Sequence, residues 1–151
     1  MINLDPLGQP PLNPEPEKGS GLSILIVEDD ADYAESTAIL LNMAGHRVEM
    51  ANTGLAAVSA VVAKQFDVVL LDLGLPGING MDIAKWVRGK DLVRVPELIA
   101  LTGHSKEDFV LQAEQCGISH FLTKPIDPTS LTDLLAEIEK KKLSGPDLLI
   151  I

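Results

Sequence analysis

Val68-Val69-Leu70-Leu71 sets four consecutive apolar residues directly before an acid, Asp72, and a turn-rich stretch, Leu73-Gly74-Leu75-Pro76-Gly77-Ile78-Asn79-Gly80. A short unbroken apolar run bounded by turn residues reads as a strand buried on both faces, the kind found in parallel sheets. That constrains the whole chain, because a parallel strand needs crossover connections and a helical layer over each face. Glycine and proline break the run after Asp72, so this acid stands where a buried strand gives way to a loop. In open α/β sheets, ligands and chemistry collect at the carboxyl ends of strands. On this stretch alone Asp72 either caps the loop or carries chemistry.

The same pattern recurs. Ser23-Ile24-Leu25-Ile26-Val27 runs into Glu28-Asp29-Asp30, Leu98-Ile99-Ala100-Leu101 ends at Thr102-Gly103, and Ile118 to Thr123 ends at Lys124-Pro125. His46-Arg47-Val48-Glu49-Met50 alternates instead, as an edge strand does. Helices fill the gaps. Asp30 caps a helix whose inward positions Ala34, Thr37, Ala38 and Leu41 fall at i, i+3, i+4 and i+7, and Gly45 ends it. Thr53-Gly54 opens an Ala/Val-rich helix to about Gln65, and Met81–Lys90 carries Ile83, Trp86 and Val87 on one face. Ser105 starts a fourth helix to Gly117, and Asp127-Pro128 caps a fifth with Leu131, Leu134, Leu135 and Ile138 as its stripe. Five strands alternating with five helices give right-handed βαβ units and a doubly wound α/β fold, helices on both faces.

Residues 22–143 read as one domain, between a flexible Pro-rich tail or linker, 1–21, and a short tail, 144–151. The formal charge of −10 argues against a basic surface for nucleic acid or anionic membrane. A single cysteine, Cys116, leaves no internal disulfide and fits a reducing compartment. The longest uncharged apolar stretch, Gly54–Ala63, is too short to insert across a bilayer, and the N-terminus shows no secretion signal. The expectation is a cytoplasmic protein.

Glu28, Asp29, Asp72, Thr102 and Lys124 all fall at strand ends, and a parallel sheet gathers these on one edge. Three crowded carboxylates resist ionising unless a cation sits among them. Their all-oxygen donor set suits Mg²⁺. A lysine and a hydroxyl beside them make an anion pocket, in which an aspartate can act as a nucleophile and form an aspartyl-phosphate.

With these pieces assembled, the chain resembles a response-regulator receiver domain of two-component signalling. The matching segments are Leu25-Ile26-Val27-Glu28-Asp29-Asp30, Leu70 to Gly80, Ala100-Leu101-Thr102-Gly103 and Phe121-Leu122-Thr123-Lys124-Pro125, in family order over about residues 22–142. The resemblance implies a flavodoxin-like three-layer sandwich, (βα)5, with strand order 2-1-3-4-5. It also implies that Asp72 accepts a phosphoryl group from a histidine kinase or histidine phosphotransfer protein. Asp29 would bind Mg²⁺ directly and Glu28 through water, with the Gly74 carbonyl as a further ligand. Thr102 and Lys124 would contact the phosphoryl group, and a cis Lys124-Pro125 bond would aim the lysine inward. Thr102 and Phe121 would form the switch, controlling a protein-binding face of the fourth helix, the fifth strand and the fifth helix. Such a domain is a signalling switch, assisting only its own phosphorylation and dephosphorylation.

Some residues depart from common variants of the pattern: Phe121 lacks a hydroxyl, Gly74 lacks a side chain, and His104 follows the threonine by two. Three rivals accompany this reading. One is the receiver of a hybrid histidine kinase, with residues 1–21 as linker; another is a degenerate receiver that works without phosphorylation. The third is an aspartate-nucleophile phosphatase, which usually has a second acid where this chain has Gly74. His46 reads as an ordinary strand residue, His104 and His120 as solvated loop residues, Trp86 as half-buried, and Cys116 as packing.

Overall fold

The computed structural model describes residues 21–75, 80–89, 95–103 and 115–144. The elements run β1 (Ser23–Val27), α1 (Ala31–Met43), β2 (Arg47–Ala51), α2 (Gly54–Ala63), β3 (Val68–Asp72), α3 (Gly80–Gly89), β4 (Glu97–Thr102), β5 (His120–Thr123) and α4 (Pro128–Ser144). The helix predicted over 105–117 lies outside the described residues except at its end, where Cys116 is buried.

All strand pairs are parallel, in the order β2-β1-β3-β4-β5. The unbroken apolar runs occupy the middle because both faces there are covered. Every residue of β1 and β3 is buried, whereas β2, at one edge, buries only Ala51 fully. The period of two divides the core. Leu25, Val27, Val69, Leu71, Leu98 and Ala100 face α2 and α3 through Ala57, Val61, Ile83, Ala84 and Val87. Ile24, Ile26, Val68, Leu70, Ile99 and Leu101 face α1 and α4 through Ala34, Ala38, Leu41, Leu131, Leu135 and Ile138. Each large aliphatic side chain so enclosed contributes about 2 kcal/mol relative to exposure.

The helix faces follow the predicted spacing. Ala34, Thr37, Ala38 and Leu41 are the buried residues of α1, and the Asp30 side chain accepts from Tyr33 N at its start. Trp86 is half-buried against the α2–α3 layer. Gly45, the predicted stop, has φ +97°, a conformation that costs glycine no steric penalty.

Element ends differ by a residue or two. The second strand begins at Arg47, and His46 before it is buried, its Nδ1 accepting the Leu22 N–H at 3.0 Å. His46 therefore anchors the start of β1 instead of alternating along a strand. Nearby, the Glu139 carboxylate accepts from Gly21 N at 2.9 Å. Asp67 accepts from Ser23 N at 2.8 Å and from Lys142 at 3.0 Å. The last turns of α4 are thus pinned to the amino-terminal edge of the sheet. No described helix is long and apolar enough to cross a membrane.

Candidate functional site

The carboxyl ends of β1, β3, β4 and β5 meet on the opposite edge. Glu28 follows β1, and its N–H bonds to Ala51 O of β2 at 3.0 Å. It shares the strand parity of Ile24 and Ile26, so its side chain turns toward α1 and is 2% exposed. Asp29 is exposed. Asp72 closes β3 opposite Leu101 and is buried. One carboxylate oxygen from each of Glu28, Asp29 and Asp72 lies within 4.8 Å of the others.

Lys124 follows β5 and is tied to β4 through its N–H to Thr102 O at 2.8 Å. Its ammonium lies 2.9 Å from both Glu28 oxygens and 3.3 Å from Asp72 Oδ2. Asp72 Oδ1 accepts from the Gly74 N–H at 2.8 Å. The Lys124–Pro125 peptide bond is cis. Thr102 is buried at the end of β4 in register with Thr123. Phe121, paired with Ala100, is half-buried against the α2–α3 layer. Since Thr102 and Phe121 occupy positions of like parity, they share that face.

Burial pushes Glu28 up to about 7, reinforced by neighbouring Asp72 and opposed by Lys124. The two carboxylates hold Lys124 above its ordinary value against the burial that would lower it. The edge is therefore a compact acidic bowl with one ammonium in it. A carboxylate here has one oxygen held by a backbone N–H and the other facing a cation. That arrangement orients a nucleophile and offsets charge gathering on a group bound to it.

Glu28, Asp29, Asp72 and Lys124 come together, and Thr102 lies on the adjoining strand end. Gly74 meets Asp72 through its N–H. His104 lies outside the described residues, and His120 starts β5, half-buried, with Nε2 3.8 Å from Glu97. Tyr33, which the strand-end pattern does not single out, joins the group. Its ring centroid is 4.7 Å from the Lys124 ammonium, and its hydroxyl accepts the Ile126 N–H at 3.0 Å. The signal for it is an aromatic residue in the first turn of the helix that follows the strand-end acids.

The response regulator receiver domain pattern matches residues 24–136. The chain belongs to the response regulator receiver domain family. The receiver is 32% identical over 126 residues to the phosphate regulon transcriptional regulatory protein PhoB of Pseudomonas aeruginosa, covering 83% of this chain and 54% of that one. It spans about half the length of this relative. The CheY-like receiver domain from Methylobacillus flagellatus superposes with a TM-score of 0.73 at 32% identity, over 79% of this chain and 99% of that one. The receiver domain of a signal transduction histidine kinase from Syntrophus aciditrophicus gives 0.72 at 26% identity, over 85% and 96%. Receiver domains of response regulators are signalling proteins, and the flavodoxin-like three-layer fold with order 2-1-3-4-5 is the one observed here.

Proposed function

We propose that this receiver is a phosphorylation-activated switch whose acceptor is Asp72. The observation that carries the reading is the position of that carboxylate. It is buried at the active edge, with one oxygen on the Gly74 N–H and the other facing Lys124, and with Glu28 and Asp29 beside it. The donor would be a phosphohistidine on a histidine kinase or phosphotransfer protein. An Asp72 oxygen attacks phosphorus, the new O–P bond forms as the P–N bond breaks, and the electron pair leaves on the imidazole nitrogen. Lys124 and the Thr102 hydroxyl neutralise and orient the transferred group, and loss to water returns the carboxylate.

The donor set of Glu28, Asp29 and Asp72, all hard oxygen ligands within 4.8 Å, fits Mg²⁺, with the Gly74 carbonyl as a further ligand. When bound there, Mg²⁺ would supply charge neutralisation for the transferred group. In this reading the domain is a protein-binding switch confined to the cytoplasm and carries no independent enzymatic activity. Its readout would pass from Thr102 through Phe121 to β5 and α4, the helix expected over 105–117 lying outside the described residues. The net charge of −10 supports a protein partner rather than nucleic acid for the receiver itself. Residues 22–143 would form the working unit, flanked by the segments 1–21 and 144–151.

A second reading, the receiver of a hybrid histidine kinase, draws support from the likeness to the kinase receiver of Syntrophus aciditrophicus. Both readings share the chemistry at Asp72. Intact-mass measurement after incubation with Mg²⁺ and acetyl phosphate tests it. Gain of one phosphoryl group in the native chain and none in Asp72→Asn is the expected result; equal gain in both refutes the assignment.

A further inference from the structure

We propose that Tyr33 is a positioning residue for Lys124, an inference that rests on the receiver reading and adds a member to its site. Two contacts from one side chain carry it. The ring presents its face to the Lys124 ammonium at 4.7 Å, and the hydroxyl accepts the N–H of Ile126, two residues further on, at 3.0 Å. The lysine is thereby held at its tip and at the backbone that follows it, both by a helix remote in sequence.

The local structure explains why Tyr33 can do this. Asp30 caps α1 by accepting from Tyr33 N at 3.1 Å, which fixes the backbone of Tyr33 in the first turn. Helical side chains lean toward the N-terminus. The N-terminus of α1 opens on the edge that carries Glu28, Asp72 and Lys124, so the ring leans into the site. Thr37 Oγ1 donates to Tyr33 O at 2.9 Å, a further tie one turn on.

The ammonium then has carboxylates on one side and an aromatic face on another. Its long, flexible stem would otherwise let it sample solvent, since the side chain is 24% exposed. The ring's negative face attracts the cation without competing for its N–H donors, as a third carboxylate would. Lys124 therefore stays in the bowl while its donors remain free to move from Glu28 to an arriving phosphoryl group. The Ile126 bond keeps the β5–α4 connection from swinging outward during that exchange.

The test uses the full chain with Tyr33→Phe, Tyr33→Leu, Lys124→Ala and the Leu/Ala double variant. In Mg²⁺-free protein, the ring-current displacement of the Lys124 ε-methylene protons should persist in Tyr33→Phe and collapse in Tyr33→Leu. The Ile126 amide proton should move upfield in both. Phosphoryl incorporation from acetyl phosphate should slow about fivefold in Tyr33→Leu and stay within about twofold of native in Tyr33→Phe. In the Lys124→Ala background, Tyr33→Leu should slow it no further. Native incorporation by Tyr33→Leu, or equal slowing with and without Lys124, would overturn the inference. A native chain that takes up no phosphoryl group refutes the receiver reading instead. The lysine shifts, read without phosphate, then decide the contact separately: no change in Tyr33→Leu overturns it.

Discussion

The Lys124 ammonium sits equidistant, at 2.9 Å, from the two carboxylate oxygens of Glu28, closer to this acid than to Asp72. The lysine thus pairs most tightly with the buried Glu28 and holds Asp72 by one longer contact. Glu28 is an acid raised above its ordinary value of 4.5 to about 7, mainly by burial. Between those values the folded chain keeps a proton that the unfolded chain has lost, so metal-free stability falls as pH rises through 7. Lys124→Ala should steepen this fall and cost about 1–3 kcal/mol at pH 8, below the range for a fully buried pair because Lys124 is 24% exposed. Urea unfolding at pH 5 and pH 8 checks it; a loss of equal size at both pH values would contradict the pairing.

Mg²⁺ should stabilise the protein through its acids. At about ten times its Kd the gain is about 1.4 kcal/mol. Asp29→Ala should abolish that gain and leave the metal-free melting temperature unchanged or higher, since one of three crowded negative charges is gone. Thermal melts with Mg²⁺ and with a chelator measure both. A native chain indifferent to Mg²⁺ speaks against the site.

Phe121 should transmit the signal without making the phosphoryl bond. Its ring is half-buried on β5, on the face shared with Thr102, and neither rotamer carries a hydroxyl to satisfy. The inward state should already be populated before phosphorylation, which then shifts an existing equilibrium. Phe121→Ala should incorporate phosphate as the native chain does while weakening the response of β5 and α4. NMR comparison of the apo and fluoroberyllate-bound forms reports this. Shifts confined to the loops around Asp72 would show that no such coupling exists.

His46 should make the domain acid-sensitive at the far edge. Burial holds it below the ordinary value of 6.5, with Arg47 adding to the depression and Glu139 opposing it. A base with a lowered folded pKa contributes stability above 6.5 that is lost as pH falls toward the folded value. Its Nδ1 accepts the Leu22 N–H, so a proton there breaks that bond. His46→Ala orphans the same buried N–H and should cost about 1–3 kcal/mol at pH 7.5. It should also flatten the loss of stability between pH 7 and pH 5; a profile as steep as the native one would assign the acid sensitivity elsewhere.

The parts legible in sequence were those set by periodicity and by strand ends. The runs at Ile24–Val27, Val68–Leu71 and Leu98–Leu101 became the three central strands, because burial on both faces demands unbroken apolar residues. Alternate parity then put Glu28, Asp72 and Lys124 over one helix layer without any further signal. His46 was misread because alternation marks a strand but says nothing about a side chain curling back to an earlier strand. The Lys142–Asp67 and Glu139–Gly21 ties were equally invisible, since they join residues brought together only by the crossover path. Tyr33 escaped for the same reason: its partners lie beyond β5, and nothing local to α1 names them.

Those ties at the amino-terminal edge also set a distance. Main chain reaches the sheet at Gly21 and α4 runs back to the same edge, where Lys142 meets Asp67. Asp72 stands at the other end of β3, a five-residue strand, about 16 Å away. The described chain therefore enters at Gly21 and reaches Lys142 on the side of the sheet away from the acidic bowl, so the contacts that fasten α4 and those that gather Glu28, Asp72 and Lys124 occupy separate ends of the same strands.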